Sequence, residues 1–175
     1  MNWILTRTGV RFDLLNPTPD MIRPEDIAFA LARICRFNGH TRGHYSVAEH
    51  SIRVAALVPA EHQLAALLHD APEAYIGDVS SPLKALLPEY REIEQRIWSA
   101  ICQRFGISTE LPQCIKQADL IMLATERRDL MPYHTELWPC LDGIEPVEAE
   151  IVTMEAVYAR SAFLTSLYGL MREVA

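Results

Sequence analysis

The chain has 175 residues, 50% hydrophobic and 22% charged, a size and make-up that suit one globular domain with a buried core and exclude a disordered chain or two large domains. Sixteen Lys and Arg stand against 23 Asp and Glu, a formal net charge of −7, so no overall positive field draws the protein to a nucleic-acid backbone or an anionic membrane. The 4 cysteines lie far apart, no charged-then-apolar leader opens the chain, and every apolar run breaks well short of the roughly 20 residues that span a bilayer; the expectation is a reduced, cytoplasmic protein with neither nucleic acid nor membrane as partner.

Residues 3–14 mix β-branched and aromatic side chains around Thr8-Gly9, a hairpin pattern ended by Asn16-Pro17-Thr18-Pro19. Residues 1–23 therefore read as a small N-terminal extension. From Pro24 the period changes, with Ile27, Leu31 and Ile34 at helical spacing and Asn38-Gly39 as the stop. Ser46-Val47-Ala48-Glu49 reads as a capping box opening a helix to Val58, which puts His50 in its first turns. The next helix, from about Ala60 through Leu67-Leu68-His69-Asp70, is nearly all apolar in its second half, so that end is expected to be buried. Residues 75–88 hold Gly77, Pro82 and Pro88 and read as a loop, after which Ile93, Ile97, Ala100, Ile101 and Phe105 mark an amphipathic helix stopped by Gly106. Pro112 starts a helix that carries Asp119 towards Leu130, residues 131–143 form another loop, and Pro146 is expected to open a final helix reaching past Tyr168, with Ile151, Met154, Tyr158, Ala162 and Thr165 on one face. Residues 24–175 thus read as one all-α bundle.

Chemistry concentrates in four residues. An ionised Asp70 at the end of an apolar helix, and Asp119 inside an otherwise apolar pattern, are expensive unless paired or metal-bound. His50 and His69 add two imidazoles, and such a mixed nitrogen and oxygen set suits Mn, Fe, Co, Ni or Zn better than the all-oxygen shells of Ca or Mg. Taken singly, each residue also fits a plainer role: His50 or His69 a hydrogen-bonded core histidine, Asp70 a cap ahead of Ala71-Pro72.

Together with their neighbours they carry a resemblance. Ser46-Val47-Ala48-Glu49-His50-Ser51, then His69-Asp70-Ala71-Pro72-Glu73-Ala74-Tyr75-Ile76-Gly77-Asp78, then Lys116-Gln117-Ala118-Asp119 resembles the H…HD…D signature of the HD-domain metal-dependent phosphohydrolases, most closely the bacterial 5′-deoxynucleotidases, over about residues 36–130. The resemblance implies that His50, His69, Asp70 and Asp119 hold one divalent ion (Mn, Co, Fe, Ni, Zn or Mg), with Glu73 and Asp78 near the attacking water and the leaving group. A continuous helix would place Glu73 on the face of His69 and Asp70, whereas a restart at Ala71-Pro72 would alter that relation. Lys84 matches the family's position after the Gly-Asp pair, and Arg36 matches its substrate-binding arginine upstream of the first His, with Arg42 as competitor.

The same resemblance implies an enzyme, one that hydrolyses the phosphomonoester of (deoxy)nucleoside 5′-monophosphates to nucleoside and phosphate. The alternatives are an HD hydrolase of nucleoside di- or triphosphates, alarmones or phosphodiesters, and a non-catalytic nucleotide- or partner-binding module with a structural metal. The expected partner is a small nucleotide, and a homodimer through the apolar last helix is compatible with the pattern. Base stacking by Tyr75 or Phe37 is left open.

Overall fold

The computed structural model describes residues 1–173 and is all-α with a small N-terminal hairpin. Strands β1 (Trp3–Leu5) and β2 (Arg11–Asp13) pair antiparallel, Ile4 opposite Phe12. A lone hairpin is marginal in water, and two contacts anchor this one. At its turn, the Thr8 N–H and hydroxyl donate to Asp26, at 2.8 and 2.7 Å, on α1 (Pro24–Leu31). On its inner face, Phe12 is fully buried and stacks on the Tyr75 ring with centroids 3.9 Å apart.

Helix α1 ends at Leu31 rather than at Asn38-Gly39, because the chain beyond it pairs across the neck of a loop. Val47 N–H donates to the Ile34 carbonyl and Arg36 N–H to that of Tyr45, both at 3.0 Å, around a Cys35–Ser46 bridge. Inside the loop, residues 36–39 make a 3-10 turn in which Phe37 and Asn38 take φ of 53° and 51°, a left-handed conformation that costs non-glycine residues about 1–3 kcal/mol each. Helix α2 (Val47–Ala56) then starts on Ser46, whose Oγ accepts from Glu49 N–H at 3.2 Å. Only that half of the expected capping box forms. The Glu49 carboxylate turns away to Arg53 and to Met154 N–H.

Helix α3 (Gln63–Leu68) stops just before His69-Asp70 instead of running through them. Tight turns carry the chain over residues 69–72, with Ala71 N–H on the Leu68 carbonyl and Glu73 N–H on that of Asp70, and α4 (Glu73–Ile76) restarts behind Pro72. The expected 75–88 loop contains a single-turn helix, α5 (Ser81–Lys84). Then α6 (Pro88–Phe105) ends at a left-handed Gly106 whose N–H returns to the Cys102 carbonyl, and α7 (Gln113–Leu130) carries Asp119 near its middle.

The largest departure concerns residues 144–155. No helix opens at Pro146; α8 begins at Ala156 and runs Ala156–Glu173. The intervening strap is extended because side chains capture its backbone groups before a helix can. Val147 N–H donates to Thr125 Oγ1, Ile151 N–H to Asp129 and Met154 N–H to Glu49, while Arg128 binds the carbonyls of Val147 and Ala149 and Arg53 that of Val152. Arg128, exposed to solvent, is thus also a fastener of the strap. The buried face of α8 is Ala159, Phe163 and Leu167, and Tyr158 is exposed.

Helix α2 packs against α3, α7 and α8, and α1 against α4 and α8. Phe12 and Ile22 from the N-terminal segment belong to the same buried cluster as Ile27, Leu67, Ile101 and Phe163. All four cysteines are free, and no helix of the described residues is long and apolar enough to cross a membrane.

Candidate metal centre

The turn after α3 brings His69 and Asp70 to the face of α2 that carries His50, and α7 lays Asp119 alongside. Donor atoms of His50, His69 and Asp119 all lie within 4.8 Å of one another. His50 Nε2 is 3.1 Å from Asp119 Oδ1 and 3.6 Å from Asp70 Oδ2, and His69 Nε2 is 3.3 Å from Asp70 Oδ2. Donors placed about 2.0–2.2 Å from one ion stand roughly 3.0–3.5 Å apart as cis neighbours. Three of the four residues singled out in the sequence, His50, His69 and Asp119, therefore share one cluster, and Asp70 borders it beside both imidazoles.

Hydrogen bonding tests whether an ion fits there. His50 Nδ1 donates to Glu126 Oε1 at 2.6 Å and His69 Nδ1 to the Ala66 carbonyl at 2.7 Å. With Nδ1 so occupied, each ring turns Nε2 into the cluster, and both Nε2 atoms are buried without a hydrogen-bond partner, facing carboxylate oxygens instead. Buried polar atoms are rarely left unpaired, and Nδ1 bound to a carbonyl or carboxylate with Nε2 free is the form in which histidine ligates a metal. Side-chain exposure rises from none at His50 and 8% at His69 to 21% at Asp70 and 41% at Asp119, so the cluster opens to solvent on its carboxylate side.

The other predicted residues are placed unevenly around this point. Glu73 is buried, with Oε1 4.0 Å from Lys84 Nζ and Oε2 unpaired. Burial, reinforced by the Asp70 and Asp78 charges, holds its carboxyl well above the usual carboxylate range, against the pull of Lys84 and Arg36. Asp78 follows Gly77, whose φ of +81° only glycine adopts readily, and it too is pushed up by burial and by Asp70, against Arg36 and Lys84. Lys84 also binds Glu94 at 2.7 Å. Arg36 is nearly buried, with Nη1 3.7 Å from Asp70 Oδ2. Arg42 is exposed on the loop, and its backbone N–H donates to the Leu130 carbonyl at 2.9 Å.

Two residues of the site went unread in the sequence, Glu126 and Tyr45. Both are fully buried, and Glu126 accepts from His50, Tyr45 and Arg36. The signal available for Glu126 was its spacing: it lies two helical turns beyond Asp119, hence on the same face of α7.

Metal binding at this cluster would depend on pH. Burial and Arg36 oppose a charge on His50, but Glu126 and Asp119 on either side outweigh them and raise its pKa to about 9 in the metal-free protein. A pKa raised above the unfolded value contributes stability that is complete below about 6.5 and is lost as pH rises through about 9. An ion must displace that proton, so affinity is expected to rise up to about tenfold per pH unit from 7 to 9, with about one proton released at pH 7. Calorimetric titration with zinc in two buffers of different ionisation enthalpy measures both; affinity independent of pH over that window would contradict the assignment.

Two surface depressions lie elsewhere, one along α6 at Arg91, Gln95 and Ser99 and one between the hairpin turn, α1 and α8 at Arg7, Phe29 and Arg160. Neither contains a predicted site residue.

No protein-family model matches the chain. It is 45% identical over 148 residues to the uncharacterized protein YfdR of Escherichia coli strain K12, covering 85% of this chain and 83% of that protein. An uncharacterized protein of Rhodobacter capsulatus is 45% identical over 126 residues, 66% of this chain and 64% of its own length.

Proposed function

We propose that this chain, which belongs to the YfdR family, is a divalent-metal-dependent phosphohydrolase of the HD type that cleaves (deoxy)nucleoside 5′-monophosphates to nucleoside and phosphate. The observation that carries this reading is the pair of buried, unpaired imidazole Nε2 atoms of His50 and His69, facing Asp70 and Asp119. The nucleotide part rests on the resemblance over residues 36–130.

In this reading His50, His69, Asp70 and Asp119 hold the ion, which when bound polarises a phosphoryl oxygen and lowers the pKa of water. Glu73, ionised against the burial that favours its protonated form and with Lys84 4.0 Å away opposing that burial, takes the proton from the attacking water. Asp78 donates a proton to the departing 5′-oxygen. Arg36 and Lys84 receive phosphoryl oxygens as negative charge shifts onto them. A structural metal site has no use for a buried carboxylate with an unpaired oxygen, and Glu73 Oε2 is one.

The test is phosphate release from a panel of nucleotides with added Mn, Co or Mg. The expected products from 5′-monophosphates are free phosphate and nucleoside. Pyrophosphate or triphosphate as product would transfer the reading to the polyphosphate alternative, and silence with every metal and substrate would end it.

A further inference from the structure

Glu126 engages the two sides of the site at once. Its Oε1 accepts from His50 Nδ1 at 2.6 Å and from the Tyr45 hydroxyl at 2.9 Å, and its Oε2 accepts from Arg36 Nε at 3.1 Å and Nη2 at 2.9 Å. A buried carboxylate is costly unless paired and fully hydrogen-bonded, and here both oxygens are satisfied. The way they are satisfied has a directional result. Binding Nδ1 leaves the His50 Nε2 facing the cluster. Binding Nε and Nη2 of the guanidinium fork through one oxygen leaves Nη1 as the free corner of Arg36, and that corner is turned to the cluster, 3.7 Å from Asp70 Oδ2 and beyond hydrogen-bond distance.

We propose that Glu126 is a positioning residue that couples metal binding to oxyanion binding, by orienting a metal-binding imidazole and a phosphate-binding guanidinium from one carboxylate. The proposal rests on the metal-centre reading of His50, His69, Asp70 and Asp119. A simple ion pair would neutralise Arg36 without involving His50; the shared carboxylate makes the position of either group depend on the other. The loop neck supports this, because Arg36 N–H on the Tyr45 carbonyl fixes Arg36 and Tyr45 side by side, just before Ser46 opens α2. Glu126 itself lies on α7 with Asp119, so the helix that supplies a ligand also supplies the coupling group. By linkage, an oxyanion that engages Arg36 should tighten the metal, and the metal should tighten the oxyanion.

The experiment uses the full chain, zinc and inorganic phosphate, with no turnover required. Nitrogen NMR of zinc-loaded wild type should show His50 protonated at Nδ1, and phosphate should raise zinc affinity about fivefold or more. In Glu126→Gln, whose one amide oxygen cannot serve both donors, zinc affinity should fall about 10- to 100-fold and the effect of phosphate should vanish. Arg36→Lys should retain zinc affinity and the His50 tautomer but lose the phosphate effect, and it keeps the test intact if Glu126→Gln does not fold. Unchanged affinity and phosphate effect in a folded Glu126→Gln, an Nε2-protonated His50, or an undiminished phosphate effect in Arg36→Lys would each overturn the coupling while leaving a zinc site in place. Wild type that binds no zinc would overturn the metal reading as well.

Discussion

Replacing Glu73 by Gln is expected to lower turnover about 10²- to 10⁴-fold, the usual contribution of a positioned general base, while leaving metal affinity within a factor of two or so. The two outcomes separate because Glu73 sits beside the candidate ligands without belonging to the His50, His69 and Asp119 cluster. The carboxyl must be ionised to take a proton, and burial with Asp70 and Asp78 nearby raises its pKa. The acid limb of the rate profile should therefore lie above the ordinary carboxylate range, and residual activity in the Gln variant should lose that limb. Stability should move the other way. A carboxyl whose pKa is raised by folding binds its proton more tightly in the native state, so its ionisation destabilises the metal-free fold as pH rises. The isosteric amide removes that penalty, and the Tm of metal-free Glu73→Gln at pH 8 should exceed that of wild type, a trade of stability for function. Undiminished turnover in a folded, metal-loaded Glu73→Gln would remove Glu73 from the chemistry. A lower Tm would show that its carboxylate is structural.

The candidate ligands were legible because ionisable groups interrupt apolar patterns at His69-Asp70 and Asp119, and because a helix opened by Ser46 sets the position of His50. Those are local signals, and local chemistry produces them. Glu126 carries no such mark: between Thr125 and Arg127-Arg128 it resembles a solvated face, and its burial depends on Arg36 and Tyr45, 90 and 81 residues away along the chain. The strap fails for the same reason. Pro146 is a plausible first helical residue by itself, but Met154 N–H is taken by Glu49, 105 residues distant, and Val147 N–H by Thr125, 22 residues away. The break between α3 and α4 belongs to an intermediate case. Ala71-Pro72 leaves two readings open, and the restart at Glu73 still leaves that carboxyl close enough to Asp70 for the charges to interact.

The hairpin offers a sharper test of how far the candidate site extends. Phe12 is fully buried and stacks within 12° of parallel on Tyr75, two residues beyond Glu73 on the one-turn helix α4. That stack accounts for Tyr75, which is buried and therefore packed rather than presented to a nucleobase. A four-residue helix has almost no stability of its own, so the orientation of Glu73 depends on what backs the helix. Phe12→Ala should cost about 3–5 kcal/mol in denaturant unfolding, the range for emptying a fully buried aromatic site. Leu5→Ala, on the neighbouring strand but exposed, should change stability by less than about 0.5 kcal/mol. Under conditions where Phe12→Ala remains folded, its turnover should also fall, because the cavity lies directly behind α4, whereas zinc affinity should hold because His50, His69, Asp70 and Asp119 lie outside that helix. A loss below about 1 kcal/mol with normal turnover would make the hairpin a peripheral appendage. A large loss of stability with normal turnover in the folded protein would assign it to the core but detach it from the positioning of Glu73.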